Sequence, residues 1–275
     1  MEKPELREPA VAGQFYPSSP EAIRKQIASF LDSPVAVNKD DVIACLLPHA
    51  GYIYSGAVAA RTLSGIKIKE KIILLGPNHT GLGAQFSIMT QGDWQTPLGE
   101  IGIDSSLAGA VLKESKYLRD DTLAHAGEHS LEVQLPLLQY FKPDFQIVPI
   151  ALLSDDLSAL KEIGKAIATA IKKSGIEKQV LIIASSDMTH YEPQEEAQRK
   201  DKEAIDAVSG LDEDRLMLKI RKLGISMCGY APAVTMLCAA KLLGAKQGKL
   251  IKYQTSGDVT GDYDAVVGYA GMVII

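Results

Sequence analysis

Five histidines occur among the 275 residues, and three of them follow apolar, strand-like runs. Val42–Leu47 leads into Pro48-His49-Ala50-Gly51-Tyr52. Lys71–Leu75 leads into Gly76-Pro77-Asn78-His79-Thr80-Gly81, and Val180–Ala184 leads into Ser185-Ser186-Asp187-Met188-Thr189-His190. In an open α/β sheet, ligands bind in the crevice beyond the carboxyl ends of the strands. Repeated histidine-bearing loops at that edge point to one shared site. A metal ion is the natural occupant, because neutral imidazole is the commonest metal ligand.

His49 and His79 read as metal ligands or bases, against the alternative of turn residues satisfied by backbone bonds. As a pair they are expected to meet across adjacent strands, about 4.8 Å apart. Cys228 lies in Met227-Cys228-Gly229-Tyr230-Ala231-Pro232, ahead of a helix expected to start near Pro232. A helix N-terminus lowers a thiol pKa and favours the metal-binding thiolate; the alternative is a partly buried free thiol. Two imidazoles and a thiolate suit iron, zinc or copper, and softness alone does not choose among them.

Asp187 and His190 share the third loop, three residues apart. A carboxylate beside an imidazole raises its basicity, as a general base or proton shuttle requires. The competing reading is an Asp that caps the next helix beside a solvent-facing His. His129, in Gly127-Glu128-His129-Ser130-Leu131-Glu132, is placed to line the same cavity from the side. Glu128 and Glu132 are then supporting partners, or merely cap and surface groups, and Ser130 is a candidate helix cap. His125 reads as an ordinary loop residue. Tyr52, Tyr54 and Tyr230 either shape a substrate or peptide pocket or pack at its rim. Cys45 and Cys238 fall inside apolar patterns and read as small packed hydrophobes.

Positioning these loops requires alternating strands and helices. Glu21–Leu31 has helical apolar spacing after the Ser18-Ser19-Pro20 start signal. Ala57–Leu63, Asp104–Lys113, Leu131–Tyr140 (interrupted by Pro136), the long stretch opened by Asp156, Gln194–Val208, Asp212–Lys222 and Ala231–Leu243 also read as helices. Val42–Leu47, Lys71–Leu75, Phe145–Leu152 and Val180–Ala184 are continuous apolar runs, as in strands buried on both faces. Gln85–Gly102 suggests a hairpin excursion. Leu250–Thr255 and Ala265–Ile275 close the chain as strands with no helix between them, so part of the sheet should be antiparallel. The expected fold is α/β, a layered, mixed but mostly parallel sheet with helices on both faces, formed by residues 1–275 as one domain.

Composition narrows the function classes. Apolar content of 46% and charged content of 23% are those of a globular protein with a large core. A net charge of −5 gives no basic footprint for nucleic acid. No apolar run reaches the roughly 18 residues of a membrane span. Met1–Pro9 lacks the apolar core of a signal peptide, so a cytoplasmic location is expected. Three cysteines do not make a disulfide framework. No Walker-type loop, Gly-x-Ser-x-Gly elbow or Cys-x-x-Cys pair is present.

At the residues already singled out, the chain resembles the Memo family. The marks are Ala10-Val11-Ala12-Gly13-Gln14-Phe15-Tyr16, Pro48-His49-Ala50-Gly51-Tyr52, Gly76-Pro77-Asn78-His79, Thr96-Pro97-Leu98-Gly99, Glu128-His129-Ser130-Leu131-Glu132, Ser185-Ser186-Asp187-Met188-Thr189-His190 and Cys228-Gly229. They span nearly the whole chain. The resemblance implies a fold like that of the class III extradiol dioxygenases (LigB-like), which hold non-haem Fe(II) at the sheet edge. It implies His49 and His79 as ligands, Cys228 where the dioxygenases use a carboxylate, and His190 as acid/base with Asp187 and His129 lining the pocket. It favours Fe(II), with Cu or Zn as alternatives. A thiolate departs from the two-His-one-carboxylate triad, so catechol cleavage does not simply carry over. Microbial members imply a radical-SAM protein and an AMMECR1-type protein as partners. Animal relatives imply phosphotyrosine-peptide binding or metal-dependent redox chemistry.

Three functions follow as expectations. One is a metal-dependent oxidoreductase acting on a small-molecule substrate. A second is a peptide- or protein-binding module on the dioxygenase scaffold, its cleft ringed by Tyr52 and Tyr230. A third is a zinc hydrolase, since two His and a Cys with an open position also activate water. A homodimer is the default assembly.

Overall fold

The computed structural model describes residues 6–31 and 39–275. Residues 1–5, part of the amino-terminal stretch discussed above, lie outside them. In order, the elements are β1 (Leu6–Arg7), α1 (Pro20–Ser29), β2 (Ala44–Leu47), α2 (Tyr52–Ser64), β3 (Lys71–Pro77), β4 (Phe86–Ile88), β5 (Asp93–Thr96), β6 (Gly99–Gly102), α3 (Ser105–Glu114), β7 (Arg119–Asp120), α4 (Leu123–Ala126) and α5 (His129–Glu132). They continue with α6 (Gln134–Phe141), β8 (Gln146–Leu152), α7 (Leu157–Ser174), β9 (Val180–Ser185), β10 (His190–Glu192), α8 (Gln194–Ser209), α9 (Glu213–Leu223), α10 (Tyr230–Leu242), β11 (Gly248–Thr255), α11 (Gly257–Thr260) and β12 (Val266–Ile274).

Nine strands form one open sheet in the order β10-β12-β2-β9-β3-β8-β4-β7, with β11 on the other side of β12. Its centre, β2-β9-β3-β8, is parallel. The flanks are mixed: β12 runs antiparallel to β2, β10 and β11, and β4 antiparallel to β8. The central strands are continuous Ile/Leu/Val runs because both faces are covered. Ile72, Ile73, Leu74 and Leu75 are fully buried, each contributing about 1.5–3 kcal/mol of transfer free energy.

Two glycines of β12 show where the layers lie. A Cβ at Gly271 would strike Thr62 and Val58 of α2, and one at Gly268 would strike Asp201 of α8. Positions three apart on a strand face opposite sides, so α2 and α8 cover opposite faces. With α2 go α1, α5 and α6; with α8 go α9, α10, α7 and α3, packed in that sequence. The buried side chains form one continuous core, and no helix among the described residues is long and apolar enough to cross a membrane.

Local signals set most helix starts. Ser19 Oγ accepts from Ala22 N at 3.3 Å, and Asp104 Oδ1 from Leu107 N at 3.0 Å; Asp156 Oδ1 accepts from Ser158 N and Ala159 N. Such caps satisfy backbone donors that a helix start leaves free. The stretch expected as one helix over Leu131–Tyr140 is instead two, α5 and α6, divided at Val133. Pro136 sits in the first turn of α6, where its missing N–H costs nothing. The hairpin expected within Gln85–Gly102 is β5-β6, paired with β1 in a separate three-stranded sheet, while β4 joins the main sheet.

Candidate metal centre

The loops after β2, β9 and β3 converge at the carboxyl edge of the sheet. His49 and His79 do not meet across adjacent strands, as their spacing in sequence suggested, because β9 runs between β2 and β3. The loops fold over the end of β9 and bring the two rings to 5.2 Å between centroids. His129, at the start of α5, completes the group: its ring lies 5.5 Å from that of His49 and stacks on that of His79 at 4.6 Å. One donor atom from each of His49, His79 and His129 falls within 4.8 Å of the others.

Hydrogen bonding decides which nitrogen each ring presents. Ser185 Oγ donates to the Ser130 carbonyl at 2.6 Å and accepts from Gln134 Nε2 at 2.8 Å. A hydroxyl has one proton to give, so at 3.0 Å it accepts from His49 Nδ1–H, leaving the His49 Nε2 lone pair free. His79 Nδ1 donates to Glu128 Oε1 at 2.9 Å. Glu128 is fully buried. Burial alone would raise its carboxyl, but the His79 hydrogen bond and charge, with the N–H groups of Ser130 and His79, bring it down to about 2. It is therefore an ionised acceptor, and His79 too presents Nε2. Burial and neighbouring imidazoles hold His49 well below its usual pKa, and burial lowers His129. A ring anchored through Nδ1–H with Nε2 free is the arrangement in which histidine binds metal.

Cys228 lies on the His49 side, its Sγ 3.1 Å from His49 Nε2 but outside the set in which every donor is within 4.8 Å of every other. The thiol was expected to be lowered by the helix that follows. Burial and the nearby Asp187 carboxylate push it up instead, so without an ion it is a neutral thiol directed at the free lone pair of His49. Donors bound to one ion at about 2.0–2.3 Å lie roughly 3–4 Å apart, so the Cys228–His49 spacing fits a shared ion replacing that proton. Gly229 makes the approach feasible: a Cβ there would strike the Ser185 carbonyl and the Ser186 side chain.

Asp187 and His190 both line the cavity above these donors, but Asp187 does not orient His190. Its Oδ1 accepts from the N–H groups of His49, at 2.7 Å, and Ala50, at 3.2 Å, so it clamps the His49 loop rather than capping a helix. Burial raises its carboxyl pKa. His190 is held by Ser226, whose Oγ accepts from His190 N at 2.7 Å and whose carbonyl accepts from Nδ1 at 2.9 Å. A carbonyl can only accept, so His190 also carries its proton on Nδ1 and offers Nε2.

The cavity encloses about 580 Å³ and is walled by Phe15, Tyr54, Tyr191 and Tyr269. Of the tyrosines expected there, only Tyr54 lines it. Tyr52 is buried in the core with its hydroxyl on the Val133 carbonyl at 2.7 Å, and Tyr230 is absent from the wall. Phe15 arrives from the amino-terminal motif. Buried Glu132 gathers that segment by accepting from Arg7, Ala10 N, Val11 N and Tyr16 Oη, and Phe15 packs on His129 at 4.7 Å. Glu128 and Glu132 are thus both interior anchors. Ser130 does not cap α5: Glu128 does, and Ser130 Oγ donates to the Pro77 carbonyl. His125 is not an ordinary loop residue but 1% exposed within α4. Sequence gave no role to Ser185, Gln134, Ser226, Tyr191 or Tyr269. The serine preceding Ser186-Asp187 at a strand end was the one local hint.

The chain is similar along nearly its whole length to known proteins. The family described as Memo-like protein matches residues 7–273. A MEMO1 family protein of Methanopyrus kandleri is 44% identical over 279 residues, covering 97% of this chain and 98% of the relative. A MEMO1 family protein of Aquifex aeolicus is 44% identical over 271 residues, covering 98% and 99%, and one of Methanothermobacter thermautotrophicus is 40% identical over 275 residues, covering 96% and 99%. With a match that runs the length of the chain and takes in each loop of the histidine cluster, this protein belongs to the Memo family.

Proposed function

We propose that this protein binds a redox-active metal ion, non-haem iron in preference to copper, and acts as an oxidoreductase on a small substrate in the cavity. One observation carries the reading: two imidazoles, each fixed through Nδ1 with Nε2 left free, lie with their donor atoms within 4.8 Å of each other, beside a half-buried thiol and beneath a cavity of about 580 Å³. His49, His79 and Cys228 would hold the ion. When bound, iron would supply Lewis acidity and one-electron chemistry at the cavity floor.

The remaining roles belong to the chain. Asp187 fixes the His49 loop through two backbone bonds. His190, anchored on Ser226, offers Nε2 to the cavity as the group that takes and returns a proton. His129, packed between Phe15 and His79, shields the floor from water and stands ready as a third imidazole donor. Metal content by mass spectrometry after anaerobic purification tests the reading, with wild type beside Cys228→Ser and His49→Ala. Near-stoichiometric iron lost in both variants is expected. Full metal content in both would refute the ligand assignment.

A further inference from the structure

We infer that the cavity is selective for an aromatic compound bearing a protonated amine, and selects against carboxylates and phosphates. This rests on the proposal that the cavity above the metal donors is the substrate site. Three features of the wall carry it.

The first is charge. Among the described lining residues there is no Lys or Arg; the charged side chains are the carboxylates of Asp187 and Asp262. Asp187 is committed to the His49 loop. Asp262 lies at the mouth, its Oδ1 accepting only the Asp264 N–H at 3.0 Å, and no ion pair involves it among the described residues. An ammonium group, which donates three hydrogen bonds and accepts none, complements that carboxylate. An anionic group at the same place would be repelled.

The second is the composition of the wall. Phe15, Tyr54, Tyr191 and Tyr269 present ring faces and edges. The hydroxyls of the three tyrosines have no hydrogen-bond partner among the described residues, and none is a sealed interior atom. Burial, with Asp187 nearby, raises Tyr269 above the ordinary phenol range, so its oxygen is a neutral phenol. Aromatic faces attract both flat rings and cations.

The third is backbone geometry. Tyr191 has φ of 58° and is 78% exposed at the mouth of the cavity. A bulky side chain in the left-handed region is strained, and such strain gathers at ligand clamps. Here it sets an exposed phenol in the cavity wall beside His190, 5.8 Å away between ring centroids, where it can stack on a bound ring.

Three near-isosteric probes separate the terms: tyramine (cationic), 4-ethylphenol (neutral) and 3-(4-hydroxyphenyl)propionate (anionic). Each is titrated by calorimetry into the full-length protein, loaded with iron and again after chelation, with metal content read on the same samples. Tyramine should bind tightest and the carboxylate weakest, about tenfold apart. Asp262→Asn should bring tyramine to within about twofold of 4-ethylphenol, and Tyr191→Ala should weaken all three. Equal or tighter binding of the carboxylate in the chelated protein would overturn the inference. So would a tyramine preference left undiminished in Asp262→Asn, or no saturable binding by about 10 mM. Iron retained without tyramine binding sinks this inference alone. Tyramine binding that depends on Asp262, in protein that takes up no metal, sinks the metal proposal alone.

Discussion

Ser185 Oγ lies 3.0 Å from His49 Nδ1, and its two other bonds leave it no way to act there except as an acceptor. The Ser130 carbonyl takes its proton and Gln134 fills one lone pair. The last residue of β9, between the two histidine-bearing strands, therefore sets the tautomer of a histidine that follows β2. Loss of an outer-shell partner of this kind costs about 10–100-fold in metal affinity. Ser185→Ala should show that loss with little change in fold, and ¹⁵N-detected NMR of the metal-free variant should show His49 no longer held as the Nδ1–H tautomer. Unchanged affinity and an unchanged tautomer would contradict it.

Gly229 marks where the Cys228 loop meets the end of β9. Gly229→Ala places a methyl against the Ser185 carbonyl and Ser186, an overpacking of about 1–3 kcal/mol. The loop must move away, taking Cys228 with it. The visible or near-ultraviolet thiolate-to-metal absorption should vanish while the protein stays folded by circular dichroism. Retention of that band at wild-type intensity would show that Cys228 can be placed by other means.

The ion pair between Glu132 and Arg7, 2.7 Å apart, is almost fully buried, and Glu132 also receives Ala10 N, Val11 N and the Tyr16 hydroxyl. Removing one partner of such a pair strands the other charge, at about 3–5 kcal/mol. Glu132→Ala should lose stability on that scale in urea unfolding. It should also expose the cavity, because Phe15 is tethered through the same segment. A loss below about 1 kcal/mol would place the anchor elsewhere.

Stability should depend on pH through His125. Its burial, reinforced by the Arg7 charge, lowers the imidazole to about 4, against about 6.5 in the unfolded chain. A depressed pKa means the fold holds the neutral ring, so the unfolded chain binds the proton first. The contribution is complete above about pH 6.5, falls with pH and is lost by about pH 4, in total about 3 kcal/mol. Urea midpoints measured between those limits should decline more steeply in wild type than in His125→Gln. Parallel curves would count against this role.

Much of the fold was legible because its signals are local. The Ile/Leu runs of β3 and β9 and the caps at Ser19, Asp104 and Asp156 each follow from neighbouring residues, whereas the single-turn α11 lies between β11 and β12 where no helix was expected, too short to leave an apolar period. The site was legible as a list of residues but not as a geometry. Nothing in the loops of His49 and His79 reveals that β9 separates their strands, since strand order is settled by contacts distant in sequence. The orientation of His190 by Ser226, 36 positions away, and of His79 by Glu128, 49 positions away, was hidden for the same reason. Tyr52 looked like a rim residue from its place beside His49, yet helical geometry turns it inward while Tyr54 faces the cavity.

A metal ion held among His49, His79 and Cys228 is open to direct test by metal content after anaerobic iron reconstitution of wild type, Cys228→Ser and His129→Ala. About one iron per chain is expected in wild type, little in Cys228→Ser and most of it retained in His129→Ala. Iron lost in His129→Ala but kept in Cys228→Ser would contradict it and assign the site to three histidines. No metal in wild type after iron, copper and zinc reconstitution would end the metal reading altogether.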